Sequence, residues 1–257
     1  MTLLKLILLE TFLIFYFLAD MKLVINSNLF YKKALNVLFQ SLQKVNFTRF
    51  EDIILVISQY QNIGPRIKKI KEVTDLDLDN KITVICMAMN NFDYTAYHAL
   101  YTWRYHWQVI DKSYFYILDT VTFDSSFNQK YKILSNTVKD YDLHIIQGPH
   151  SNICAFGGNV IDKYADNFKN KITKEEAITL ECEGNSIHNK ENILINSIKH
   201  FGDVKDYRKR TFATKKDLYN NGIERSAYYY KDFGLYKWIL EHKNGDFLGK
   251  IVNNFEK

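Results

Sequence analysis

The chain has 257 residues, with 34 Lys and Arg against 29 Asp and Glu, a formal net charge of +5. Apolar residues make up 47% and charged residues 25%, which excludes intrinsic disorder, while two prolines and ten glycines exclude collagen-like and linker-dominated chains. Three cysteines (Cys86, Cys154, Cys182) are an odd number without CxxC spacing, so neither a disulfide framework nor a zinc knuckle is expected.

Thr2 to Ala19 read TLLKLILLETFLIFYFLA, an apolar stretch broken by Lys5 and Glu10. About a dozen large apolar residues at roughly −0.5 kcal/mol each outweigh one central acid at roughly +3 kcal/mol, so insertion into a bilayer is allowed, although the stretch is short for a span. Tyr16-Phe17-Leu18-Ala19-Asp20 makes a poor cleavage site. Residues 1–20 read either as a signal anchor that associates the chain with a membrane, or as an upstream extension or peripheral helix before a natural start at Met21. Location follows from that choice: membrane-anchored in the first case, cytoplasmic in the second.

From Met21 onward, strand-like runs alternate with helix-like ones. Lys22 to Asn26 (KLVIN) is a short apolar run ending at Ser27-Asn28, with Asn28 suited to cap a helix. Phe30, Ala34, Leu38, Leu42 and Val45 recur at helical spacing and predict an amphipathic helix over Leu29 to Val45. Asp52 to Ser58 (DIILVIS) is a continuous β-branched run, as in a strand buried on both faces. Gly64-Pro65 marks a turn, followed by the basic stretch Arg66 to Lys71 and the acids Asp75, Asp77 and Asp79. Lys81 to Met89 is a third apolar run, broken by Asn90-Asn91-Phe92-Asp93, where Asp93 is placed to cap a helix through Tyr94 to Gln108. Tyr114 to Leu118 (YFYIL) is a fourth, running straight into Asp119-Thr120.

Phe127 to Val138 reads as a helix, and Leu143 to Gln147 as a strand closed by Gly148-Pro149-His150. Asn152 to Phe168 carries Gly157-Gly158 and then helical spacing. Strand followed by helix, about four times over, predicts an α/β fold with a mostly parallel central sheet flanked by helices and joined by right-handed crossovers. After Glu183 the pattern weakens: Lys199 to Lys216 holds seven Lys and Arg against two Asp, and Tyr228-Tyr229-Tyr230 opens a last aromatic stretch. Three parts result: a leader (1–20), an α/β domain (21–198), and a basic and aromatic C-terminal appendage (199–257), helical or irregular, packed on it.

Ligands of an open parallel sheet bind outside the carboxyl ends of its strands. Those ends carry Ser27-Asn28, Ser58-Gln59, Asn90 to Asp93, Asp119-Thr120 and Gly148-Pro149-His150. Asp119 stands out, because an acid at the lip of an apolar strand needs a cation or hydrogen-bond donors. A hard divalent ion bridged to a diphosphate is one solution, with Asp124 as second oxygen donor if Thr122 and Phe123 form a turn. A cap bonded to backbone amides is the other. No GxGxxG, GxxxxGK[ST], HExxH or GxSxG occurs and the seven His are scattered, so a glycine-rich phosphate cradle and a metallohydrolase site are unsupported. A methyltransferase is disfavoured because no glycine-rich turn follows the first strand.

The order of elements and the phrase Tyr114-Phe-Tyr-Ile-Leu-Asp119-Thr120 resemble nucleotide-sugar glycosyltransferases of the GT-A type, in particular divergent members from large DNA viruses. The likeness spans roughly Lys22 to Asn185. It implies a Rossmann-related fold in which an acidic D-x-D element ends a central strand and binds Mn²⁺ or Mg²⁺, and through it the donor diphosphate. Asp119 matches the first acid, Val121 stands at the third position, and Asp124 is a substitute for the missing one. Ser27, Asn28, Asn90 and Asp93 are candidate donor contacts by their place at the strand ends, and by the same resemblance His150 and Asn152 of the Gly148 to Ile153 loop help form contacts to a UDP- or GDP-linked donor and to the acceptor. Glu181 or Glu183 matches the carboxylate that takes the acceptor's proton in inverting members, the acceptor being a glycan, protein or lipid. A solvated acidic helix face that includes Glu175 and Glu176 is the alternative reading of these acids. A degenerate, non-catalytic binding protein remains the alternative function.

Tyr94, Tyr97, Tyr101 and Tyr105 recur at three- and four-residue spacing, as core or as a platform for a base or sugar ring. Arg208-Lys209-Arg210 suits a donor diphosphate, a solvated surface or a nucleic-acid contact. With so small an excess of positive charge, nucleic acid is not expected as a partner.

Overall fold

A computed structural model describes residues 21–28, 31–45, 50, 52–58, 66–68, 82–109, 112–124, 127, 143–147, 150–163, 165–173, 175–177, 198–200, 211–212, 227–230 and 234–238. In chain order the elements are β1 (Lys22–Asn28), α1 (Lys32–Lys44), β2 (Ile53–Ser58), β3 (Arg66–Lys68) and β4 (Ile82–Cys86). A 3₁₀ turn (Phe92–Tyr94) leads into α2 (Thr95–Trp103), followed by β5 (Ser113–Leu118), β6 (Val121–Phe123), β7 (Leu143–Gln147) and β8 (His150–Gly157). Then come α3 (Asn159–Lys163), α4 (Ala165–Phe168), β9 (Ile198–His200), β10 (Thr211–Phe212), β11 (Ala227–Tyr230) and β12 (Leu235–Trp238).

The main sheet runs β3-β4-β2-β1-β5-β8-β7-β9. Its centre, β4-β2-β1-β5, is parallel, with Leu23 of β1 opposite both Ile53 of β2 and Phe115 of β5. The flanks are mixed: β3 and β8 run antiparallel to β4 and β5, β7 is antiparallel to β8, and β9 is parallel to β7. The α/β architecture with a largely parallel centre is as expected from the sequence.

Successive residues of a strand point to opposite faces, so a strand covered twice must be apolar at every position. Leu23, Ile25, Leu55, Ile57, Phe115 and Ile117 form one face with Leu35, Leu38, Phe39 and Leu42 of α1. Val24, Ile54, Val56, Tyr114 and Tyr116 form the other with Ala96, Tyr97, Ala99 and Leu100 of α2. The tyrosine stripe divides accordingly: Tyr94 and Tyr97 are core, Tyr101 is half-buried and Tyr105 is exposed. Tyr97 stacks on Tyr116 with centroids 4.6 Å apart, and its hydroxyl lies 3.1 Å from the Cys154 Sγ.

Several boundaries differ from the sequence expectations. Asn28 stays in β1, paired with Ser58, and Tyr31 caps α1 without a side-chain hydrogen bond, so the helix starts at Lys32. Asp93 lies inside the 3₁₀ turn instead of capping a helix, and Tyr94 takes the cap position of α2. The helical spacing after Gly157-Gly158 becomes α3 from Asn159, whereas 150–157, for which the sequence suggested no strand, pairs with β5 as β8. Of the expected helix over Phe127 to Val138 only Phe127 lies within the described residues, buried against Phe115 and Phe123.

Thr122 and Phe123 form no turn but the strand β6, the edge of a second, antiparallel sheet ordered β10-β11-β12-β6. The described parts of the C-terminal appendage are therefore strands, not helices. The Phe123 N–H donates to the Ser41 Oγ of α1 at 3.1 Å, which ties this sheet to the main one. Among the described residues no helix is long and apolar enough to cross a membrane; residues 1–20 lie outside them.

Phe115 is 0% exposed, and its ring centroid lies 6.3 Å from Phe50 and 5.7 Å from Phe127. Phe115→Ala should cost about 3–5 kcal/mol in urea unfolding, because neighbours on three elements cannot all close the cavity. A loss below roughly 1 kcal/mol would show that this cluster does not support the sheet.

Candidate functional site

The sheet order itself indicates where a site can form. From β1 the chain moves to β2 on one side, with α1 covering one face, whereas β5 joins β1 on its other side and is reached through α2 on the opposite face. The connections leaving the carboxyl ends of β1 and β5 diverge, and such a switch in strand order is where open α/β sheets bind their ligands. Asn26, Ser27 and Asn28 meet it from β1, and Asp119 and Thr120 from the turn after β5.

Asp119 is the centre of this arrangement. Its backbone N–H donates to the Asn26 carbonyl at 3.1 Å, and its Oδ2 accepts from the Ser27 Oγ at 2.7 Å. Only 7% of the residue is exposed. From the second sheet, Lys237 on β12, in register with Val121 of β6, donates through its ammonium to the Thr120 hydroxyl. Burial pushes the Asp119 carboxyl up to about 6; the Ser27 hydrogen bond, the Lys237 charge and the Thr120 N–H oppose the rise, and the charge of Asp93 adds to it. The Tyr31 phenol is raised by burial and by the same carboxylate.

Asn26 joins this group to the loop after β4. Its Nδ2 donates to the Phe92 carbonyl at 2.9 Å, and its Oδ1 accepts from the Ala96 N–H at 3.0 Å. Phe92 is held at φ 53, a left-handed conformation unfavourable for a residue with a side chain, with its N–H on the Asn90 Oδ1 at 2.9 Å. The Tyr116 hydroxyl donates to the Asp93 carbonyl. Buried Asn91 ties the loop to residues 170–172, donating to the Asn170 carbonyl at 2.9 Å and accepting from the Ile172 N–H at 3.2 Å. Between these two segments lies a cleft of about 660 Å³, lined by Met89, Asn90, Phe92, Lys171 and Thr173 among others. It does not include Asp119; the Asn26–Phe92 hydrogen bond connects the two.

Of the residues expected from sequence, Ser27, Asn28, Asn90, Asp93 and Asp119 gather at the carboxyl edge of the parallel strands. His150 and Asn152 reach that edge by backbone position, since β8 runs antiparallel and pairs Ile153 with Ile117. Asp124 is not brought to Asp119: it follows the extended β6, four residues beyond Thr120, which at about 3.3 Å per residue is roughly 13 Å away. Its N–H donates to the Gly234 carbonyl at 2.8 Å. Glu181, Glu183, Arg208 and Arg210 lie outside the described residues. Sequence reasoning missed Asn26 and Lys237. An amide inside a buried apolar run must have both ends hydrogen-bonded, which is a signal for Asn26, whereas nothing local marks Lys237.

An ion at the D-x-D position can be tested against the donors present. Val121, at the position of the second acid, is 0% exposed within β6, and among the described residues no three His, Cys, Asp or Glu converge. Asp93 is nevertheless close enough for its charge to act on Asp119. Two mutually repelling carboxylates beside the Lys237 ammonium leave, among the described residues, negative charge that a cation would offset. No protein-family model matches the chain, and no curated protein matches it.

The folded chain holds a proton on Asp119 up to pH of about 6, whereas the ordinary value is 3.8. Stability therefore falls as pH rises between these values, and the penalty stands in full above the folded value, about 3 kcal/mol for some two pH units. Asp119→Asn keeps the shape and an acceptor for Ser27. In urea titrations it should be more stable than the parent at pH 8 and lose the slope between pH 4 and 6; a less stable variant at pH 8 would show that the partners outweigh desolvation.

Proposed function

We propose that the chain is a GT-A-type glycosyltransferase that moves a sugar from a UDP- or GDP-linked donor to a hydroxyl of a glycan, protein or lipid. The observation that carries this reading is the buried Asp119 directly after a parallel strand, at the switch in strand order between β1 and β5, where the resemblance calls for the acid that meets the donor diphosphate. Asp119 and Asp93 are the residues that would hold Mn²⁺ or Mg²⁺, which when bound neutralises the leaving diphosphate. Ser27 fixes the rotamer of Asp119, and Lys237 holds Thr120 and adds positive charge beside the leaving group. Asn28 and Asn90 offer amides at the same edge for donor hydroxyls. Transfer passes through an oxocarbenium-like transition state, with Glu181 or Glu183 taking the proton of the attacking acceptor hydroxyl.

Calorimetric titration with UDP and GDP, each in Mn²⁺, Mg²⁺ or chelator, tests this. Binding of one nucleotide should strengthen with the ion, and Asp119→Ala should weaken it at least roughly tenfold, the cost of losing even an outer partner of a metal site. Equal binding in both proteins rejects the role of Asp119. Silence with every nucleotide, together with no hydrolysis of any nucleotide sugar, favours the degenerate binding protein, the reading that Val121 in place of the second acid supports.

A further inference from the structure

The edge of the sheet opposite Asp119 carries a second feature. Helix α2 runs against the strands, so its end lies at their amino edge, and the chain turns there through Arg104 to Val109 before entering β5. Tyr105 and His106 of this turn are exposed, while Arg104 and, packed on the core beneath, Trp103 at the end of α2 and Trp107 are half-buried. The two indoles stack with centroids 5.5 Å apart, His106 packs edge-on to Trp103 at 5.7 Å, and the Arg104 guanidinium lies 3.9 Å from the Tyr101 ring centre and 4.3 Å from that of Tyr105. Tyr105 is 76% exposed, the one large apolar side chain so exposed among the described residues. The Trp103 indole N–H finds no acceptor among them.

Basic side chains accompany this cluster: Arg104, which meets Asp162 at 3.3 Å, Lys112 just before β5, and exposed Lys163 beside Asp162 on α3. The same edge receives the start of the domain, since Lys22 of β1 pairs with Tyr114 of β5, so Met21 lies about one strand spacing from the start of β5. Attached to Met21 is the apolar stretch Thr2 to Ala19.

We propose that this amino edge is a membrane-facing surface, with exposed Tyr105 seated at the headgroup level of an anionic bilayer among Arg104, Lys112 and Lys163, and the half-buried Trp103 and Trp107 directly beneath it. An exposed tyrosine with cationic neighbours favours that depth, because the ring leaves water while its hydroxyl and the cations keep headgroup partners. Two signals hold a chain on a bilayer far better than one, and here the residue to which the apolar stretch is joined, Met21, stands at the same edge as the aromatic rim. Asp119 and Ser27 then stand roughly 20 Å above the surface, the length of β1, facing away from it. This inference does not depend on the glycosyltransferase reading.

The test uses the full chain with phosphatidylcholine vesicles, with and without phosphatidylserine, containing lipids brominated on the acyl chain. Tryptophan emission should be quenched on binding, and the quenching should vanish in the double variant Trp103→Phe, Trp107→Phe, which leaves Trp238 alone. At exposed positions that cannot disturb the core, Tyr105→Ser with Lys163→Ser should lower affinity for the phosphatidylserine vesicles about fivefold or more, each surface cation alone contributing on that order. The proposal is overturned if the chain does not bind vesicles, if it binds without quenching, if quenching is unchanged in the double variant, or if soluble oligosaccharides instead of vesicles engage the two tryptophans.

Discussion

Strand β1 has a parallel partner on each side and a helix layer on each face. From Leu23 to Ile25 it has no outlet for a polar group, and its side chains are correspondingly Leu, Val and Ile. Polarity starts abruptly at Asn26, where the covering layers end. There the amide binds the loop after β4 and the start of α2, and the backbone carbonyl receives the N–H of Asp119. The position of the candidate site follows from this constraint: polar groups collect where the doubly covered strand emerges, and the switch in strand order leaves room beside them.

Asp119 and Thr120 also mark where the chain passes from one sheet to the other. β5 ends the parallel set, and β6, begun immediately after the turn, belongs to the antiparallel sheet completed by β12. The turn is thus held from both sides, by Ser27 of the main sheet and Lys237 of the second, and a buried carboxyl is kept between a hydroxyl donor and an ammonium. Burial of an acid that ionises near neutrality works against stability, and such local conflicts concentrate where a protein binds or reacts.

A parallel sheet has two chemically different edges, and this chain uses them differently. The carboxyl edge gathers Asn26, Ser27, Asn91 and Asp119, all buried and hydrogen-bonded. The amino edge gathers stacked aromatic rings and cations, with Tyr105 in solvent. Because α2 must run back from one edge to the other, a single helix carries the buried Tyr97 in its first turn and ends in the aromatic rim.

The four central strands and α1 and α2 were legible in the sequence because their signals are local: unbroken β-branched runs for strands covered twice, and a 3.6-residue period for helices facing a sheet on one side. Asp119 was legible for the same reason, as an acid that directly ends such a run. Tertiary structure decided what local pattern cannot carry. Residues 150–157, which carry no strand signal of their own, became β8 because β5 and β7 offered edges to pair with. Thr122 and Phe123 became a strand because β12, more than a hundred residues later, pairs with them, and that pairing carried Asp124 away from Asp119 and brought Lys237 in. Strand pairing joins residues distant in sequence through backbone groups that every residue shares, so the chain's own letters specify which segments can be strands but not which neighbours they will find.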